Sequence, residues 1–259
     1  MTTEPSLKMM LKSFKLPAFV ANYEEIARAA EREALTYERY LHGLAELEAH
    51  ERYNRKIGLL LKQSRLPREK TLETFQMDRL PKKVRAVLPT LCEGSFLSRA
   101  ECVLAFGNPG SGKTHLLCGI AHELVKRGHA VLFMSAVMLV QRLLAAKRDL
   151  RLSQEIKKLD RFAAVLIDDI GYVQQDREEM EVLFTLLAER YERRSVMITT
   201  NLVFSKWDQI FKDPMTTAAA VDRLVHHAVI LELNLPSYRA EKALEKSRGK
   251  SAEEGGKVQ

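Results

Sequence analysis

The residues best equipped for chemistry lie in GNPGSGKT, positions 107–114. Their spacing fits G-x-x-x-x-G-K-[ST], a loop whose glycines let the backbone curl until its N–H groups face phosphate oxygens. Gly107, Asn108, Pro109, Gly110, Ser111 and Gly112 would form this cradle, and a helix starting just after it would add the positive end of its dipole. Lys113 offers a point charge to β- and γ-phosphates, and Thr114 a hydroxyl to Mg²⁺. The chemistry implied is the binding of a nucleoside triphosphate.

AAVLIDDIG at 163–171 is an apolar stretch ending in two acids, with Asp168 61 positions after Gly107. Beyond a strand end, both carboxylates can reach one phosphate site. Asp168 is the natural metal ligand beside Thr114, and Asp169 is placed to orient or deprotonate an attacking water. The plainer alternative for Asp169 is a turn or cap residue. In TTN, 199–201, Asn201 is the candidate to sense the γ-phosphate or the water, with Thr200 as the fallback. Arg223, in AAAVDRLVHHA, lies too far along the chain to serve its own phosphates comfortably. It could reach those of a neighbouring subunit, as arginine fingers do, or form a surface salt bridge. Arg193 and Arg194 are weaker candidates, since cations at a helix C-terminus are expected anyway. His226 and His227 read as helix neighbours, not ligands.

These groups need elements to bring them together. From residue 101 short apolar runs alternate with amphipathic stretches: VLAF (103–106), AVLFM (130–134), AVLI (164–167), VMIT (196–199) and VILEL (229–233). The pattern predicts a five-stranded parallel α/β sheet with crossover helices over 112–127, 136–159 (broken near Asp149), 177–193 and 214–227. Residues 1–66 read as a small all-α N-terminal domain, and 67–100, with Pro67, Pro81 and Pro89, as a linker containing a short helix near 81–87. The ATPase-type domain would occupy 101–243, without a full helical lid, and 244–259 a polar, disordered tail.

The net charge of +7 is concentrated. ERYNRKIGLLLKQSRLPREK, residues 51–70, holds seven basic and two acidic side chains. Arg52, Arg55, Lys56, Lys62 and Arg65 are the candidate phosphate contacts to duplex DNA, binding without base readout; a solvated helix face is the alternative. Arg79, Lys82, Lys83 and Arg85 form a second basic cluster, and 142–161 a third, with seven cations against three acids. Cys92, Cys102 and Cys118 lack disulfide or zinc spacing and read as reduced thiols in the cytoplasm. No apolar run is long enough to span a bilayer. A small-molecule P-loop kinase fits poorly, because it needs no acid for water and no arginine in trans.

GNPGSGKTH, LIDDIG, ITTNLVFSKWDQIF and DRLVHHAVILELNLPSYR together resemble IstB, the helper ATPase of certain insertion sequences, from about residue 7 to 243. The likeness includes LPREKTLETFQMD at 66–78, which is similar to that family's domain junction. It implies an AAA+ ATPase of the initiator type, close to the helicase loader DnaC. The implied activity is ATP hydrolysis by a DNA-bound homo-oligomer that marks target DNA and recruits or stimulates its transposase. By position, Lys113, Thr114, Asp168, Asp169, Asn201 and Arg223 take the roles reasoned above. The segment Asn234-Leu235-Pro236 departs from the family's turn, so no role is carried to Arg239. A DnaC-like helicase loader is the alternative reading.

Overall fold

In the N-terminal part of the chain, helix α1 (Leu7–Ser13) is followed by α2 (Pro17–Arg32) and α3 (Tyr37–Ser64). The computed structural model of the chain describes residues 6–172, 177–202, 206–207, 214–225 and 228–238. His226, His227, Arg239 and the 244–259 tail lie outside the described residues. By contacts the chain forms two units, Met1–Leu59 and Leu60–Gln259.

Within the first unit, Pro17 opens α2, where a missing N–H and a preset φ cost nothing. The next amide, Ala18 N–H, belongs to the first turn and lacks an intrahelical acceptor. Glu48 supplies one from α3: its Oε2 accepts Ala18 N at 2.8 Å. A helix N-terminus thus draws a carboxylate into a site where only 4% of Glu48 is exposed.

The second unit begins with a strap that leads into α4 (Lys82–Glu93) and α5 (Ser95–Ser98). The strands are β1 (Cys102–Gly107), β2 (Val131–Ser135), β3 (Ala164–Asp168), β4 (Ser195–Thr200) and β5 (Ala228–Leu233). They are all parallel, in the order β2-β3-β4-β1-β5. The intervening helices are α6 (Lys113–Lys126), α7 (Ala136–Arg148), α8 (Leu152–Leu159), α9 (Arg177–Arg190) and α10 (Pro214–Val225). The break expected near Asp149 separates α7 from α8.

Strand periodicity sorts the core. Leu104, Phe106, Val165, Ile167, Val196 and Ile198 face one buried cluster, while Val103, Ala105, Leu166 and Met197 face the other. Both faces of β1, β3 and β4 are covered, so these strands read as nearly unbroken apolar runs, whereas the edge strand β5 alternates, with Ile230 and Glu232 exposed. Residues of the expected linker take part: Leu80, Val84, Leu88, Leu91 and Phe96 are buried with Val103 and Leu116. Arg190 is fully buried at the α9–β4 corner and donates to the carbonyls of Leu159, Phe162 and Ser195 at 3.0 Å each. Burial pulls its pKa down to about 10, with Asp160 opposing. Cys102 and Cys118 are buried and Cys92 half-buried, all as free thiols. Burial pushes Cys118 up to about 12 and Cys92 to about 11, so neither is a ready nucleophile.

Candidate nucleotide site

The strand order decides which ends meet. β1 feeds the 107–114 loop, β3 carries the acids, and β4 lies between them. Ala105 pairs with Thr199 and Phe106 with Thr200, while Ile167 pairs with Ile198. Thr199 is therefore one step past the last β3–β4 pair, level with the acids.

The loop folds as its spacing demands. Gly112 has φ 94° and opens α6; a side chain there would begin 3.0 Å from the Phe75 ring. Lys113 is 6% exposed, and its Nζ donates to the Gly107 and Asn108 carbonyls at 2.8 and 2.9 Å. The Ser111 hydroxyl is buried without a hydrogen-bond partner. An orphaned hydroxyl donor in a glycine-rich loop at the start of α6 fits a phosphate ligand.

Thr114 Oγ1 donates to Asp168 Oδ1 at 2.7 Å, which joins the two expected metal ligands. Thr199 Oγ1 donates to the same oxygen at 2.6 Å and accepts the Asp169 amide at 2.8 Å. Asp169 sits in the left-handed region at φ 56°, an uncommon conformation for a residue with a Cβ. Asn201 lines the same cleft, and its Oδ1 is buried without a partner. Thr200 does something different: its hydroxyl accepts Leu202 N at 3.1 Å and closes the turn after β4.

The cleft of about 220 Å³ above the loop has walls that sequence reasoning did not identify. Lys70, Thr74, Phe75, Gln76 and Arg79 line one side, Leu235 and Tyr238 another. The 70–79 strap is seated on α6 because Gly119 has no side chain; a Cβ there would lie 2.5 Å from Leu72 Cδ2. His122 Nε2 to Pro67 O (3.0 Å) and Lys126 to Glu73 (3.1 Å) hold the strap along the helix. His115 Nε2 is 3.0 Å from both Thr71 O and Thr74 Oγ1, and its ring meets Phe75 edge-on at 5.2 Å. Burial, with the charge of Lys70, holds the His115 pKa below the usual imidazole range despite the Thr71 bond. On the other side, Tyr238 N donates to Gly110 O, and Arg79 donates to Pro236 O while lying over the Tyr238 ring. The sequence signals for these walls were the resemblance of 66–78 and of the NLPSYR segment to the family, which assigned them no place beside the nucleotide.

Arg223 does not line this cleft. It stands on α10 with its guanidinium 4.8 Å over the Phe184 ring, and its Nη1 is buried without an acceptor. Arg193 and Arg194 are occupied with Asp160. Of the α3 candidates, Arg52 donates to Glu48 at 2.8 Å and to Lys15 O at 2.9 Å, and Arg55 lies 3.6 Å from Glu48. Burial alone would raise the Glu48 pKa, but the Arg52 bond, the Ala18 amide and both arginine charges hold it below its ordinary value. Lys56, Lys62 and Arg65 are exposed and have no side-chain partner among the described residues. In the second cluster, Arg85 donates to Met77 O, while Lys82 and Lys83 are exposed. Among the described residues, no group of three or more His, Cys, Asp or Glu side chains could hold a metal by itself, and no helix is long and apolar enough to cross a membrane.

A parallel 2-3-4-1-5 sheet with a phosphate loop after β1 and paired acids at the end of β3 is the P-loop fold of AAA+ proteins. Replication initiator DnaA, solved with AMPPCP and single-stranded DNA, shares this fold: TM-score 0.56, 20% identity, covering 71% of this chain and 56% of that one. The chain belongs to the IstB-like ATP binding protein family, which matches residues 9–246. It is 43% identical to a putative insertion sequence ATP-binding protein of Sinorhizobium fredii, over 95% of this chain and 83% of that one. It is 35% identical to the putative ATP-binding protein of insertion sequence IS21 from Pseudomonas aeruginosa, over 90% and 88%.

Proposed function

We propose that the protein is an ATP-hydrolysing, DNA-binding helper of transposition. It works in the cytoplasm as a homo-oligomer on duplex DNA and recruits or stimulates its transposase. The observation that supports this reading is the bonded set Thr114–Asp168–Thr199–Asp169, in which two carboxylates and two hydroxyls are linked beside one phosphate loop. Such a set suits turnover, not storage, of a bound triphosphate. Kinship with insertion-sequence ATP-binding proteins supplies the transposition context.

Lys113 and the loop amides bind the β- and γ-phosphates; Asp169 orients the attacking water and accepts its proton, and Asn201 contacts the γ-phosphate or that water. Thr114 and Asp168 would hold Mg²⁺, which when bound supplies positive charge against the phosphate oxygens. Arg223, remote from its own cleft, serves the cleft of an adjacent subunit. Lys56, Lys62 and Arg65 grip phosphates of the DNA backbone.

The test is turnover and binding by the purified protein with and without duplex DNA. Lys113→Ala should lose nucleotide binding, and Asp169→Asn should keep ATP-dependent assembly yet lose hydrolysis. Normal hydrolysis by Asp169→Asn removes that assignment. A strong preference for single strands over duplex would favour the helicase-loader reading.

A further inference from the structure

Arg223 is held by an aromatic ring and by no acid. On α10, Ala220 and Leu224 are buried in the core cluster that also takes Leu183 and Leu187 of α9. That packing lays the Arg223 side chain across Phe184, with the guanidinium carbon 4.8 Å from the ring centroid. Phe184 is itself anchored, half-buried against the same cluster. The guanidinium makes no hydrogen bond or ion pair among the described residues. Its Nη1 is buried without an acceptor, whereas Nε and Nη2 are unbonded but not buried.

The other arginines around the same hollow are engaged. Arg99 donates to Glu101 at 2.6 and 2.8 Å, Arg190 to three carbonyls and Asp160, and Arg194 to the Asp160 carbonyl. A carboxylate beside Arg223 would occupy two donors of the planar fork and offset its charge. A ring does neither: its negative face attracts the cation and accepts none of the in-plane donors. An orphaned donor is unfavourable in the isolated chain, which fits an acceptor that arrives with a partner.

We propose that Phe184 is a positioning residue for Arg223, its ring fixing the guanidinium by cation–π attraction while donors stay available to the phosphates of a neighbouring subunit's ATP. This rests on the reading of Arg223 as an arginine acting in trans.

The experiment measures ATP hydrolysis by the full chain with Mg²⁺ and duplex DNA, together with ATP affinity and urea midpoints. Phe184→Leu keeps an apolar contact with the core and removes the π face. Its kcat should fall on the order of tenfold with ATP affinity unchanged, and Phe184→Tyr should restore it. Pentafluorophenylalanine at position 184 keeps the ring shape and drains the negative face, so kcat should fall as in Phe184→Leu. This comparison decides the matter even where Phe184→Leu lowers the urea midpoint. In subunit mixing, Asp169→Asn has a silent cleft but an intact Arg223, and it should restore turnover to Arg223→Ala. Asp169→Asn that also carries Phe184→Leu should restore roughly tenfold less.

Wild-type turnover by Arg223→Ala overturns the trans reading and the role of Phe184 with it. Slow turnover by Arg223→Ala beside wild-type turnover in the fluorinated chain leaves the trans arginine standing and overturns the role of Phe184. Faster turnover in Phe184→Leu overturns it in favour of a ring that parks the arginine. An equal loss of ATP affinity overturns it in favour of simple packing.

Discussion

Thr199 ties two acids with one hydroxyl: its proton goes to Asp168 Oδ1 at 2.6 Å and its lone pair receives the Asp169 amide at 2.8 Å. The side chain is fully buried, so water cannot replace either bond. Thr199 is therefore a positioning residue for both Asp168 and Asp169. Thr199→Val keeps the shape and removes the hydroxyl. Hydrolysis should fall about 10- to 100-fold with ATP affinity changed far less, and Thr199→Ser should restore it. The kcat-against-KM split decides: an equal loss of binding in Thr199→Val would reduce the residue to simple packing.

Arg223→Ala should bind ATP but hydrolyse it about a thousandfold more slowly in the assembled state. On the proposed role in trans, mixing Arg223→Ala with Lys113→Ala should recover part of the activity, since the second subunit offers an intact arginine to the first. Turnover equal to wild type would leave Arg223 as a partner of Phe184 alone.

His115 introduces a pH dependence with a definite sign. Its pKa is lowered in the folded state, chiefly by burial, so below about pH 6.5 the unfolded chain binds more protons than the folded one. Stability should therefore decline as pH drops from about 6.5 to the depressed folded-state value and then level off. His115→Gln should flatten that decline. Denaturation midpoints at about pH 7.5 and about pH 5.5 measure it; parallel declines in both proteins would exclude His115 as the source.

The basic residues of α3 should separate into two groups. Lys56→Glu or Lys62→Glu should weaken duplex binding and lower the log–log salt slope by about 0.9 per lost phosphate contact, with folding unchanged. Arg52→Glu should instead destabilise the fold by ~1–3 kcal/mol, because it leaves buried Glu48 facing a like charge. Urea midpoints and DNA affinities measured on the same variants would show whether that division holds.

Much of the site was legible because its signals are local. The loop is eight consecutive residues, and DD ends an apolar strand as written. The five strands fall within a residue or two of their apolar runs, since a strand covered on both faces, as β1, β3 and β4 are, needs apolar side chains at nearly every position. Arg52 shows the limit of such reading. Its charge was plain, but Glu48 is buried because it caps the N-terminus of α2, 30 residues from Ala18. Pro67 and Pro81 mark the 67–80 stretch as irregular, yet only its packing across Gly119 and Gly112 turns it into a wall of the cleft.

Composition, spacing and periodicity by themselves determined a parallel P-loop sheet, the phosphate loop and its two acids, because each depends on neighbours in the chain. Tertiary structure alone decided which hydroxyl joins Asp168 to Asp169, which aromatics close the cleft and which arginines are held by a buried carboxylate. Those relations follow from strand order and helix packing, which bring together residues tens of positions apart and leave no periodic trace in the sequence.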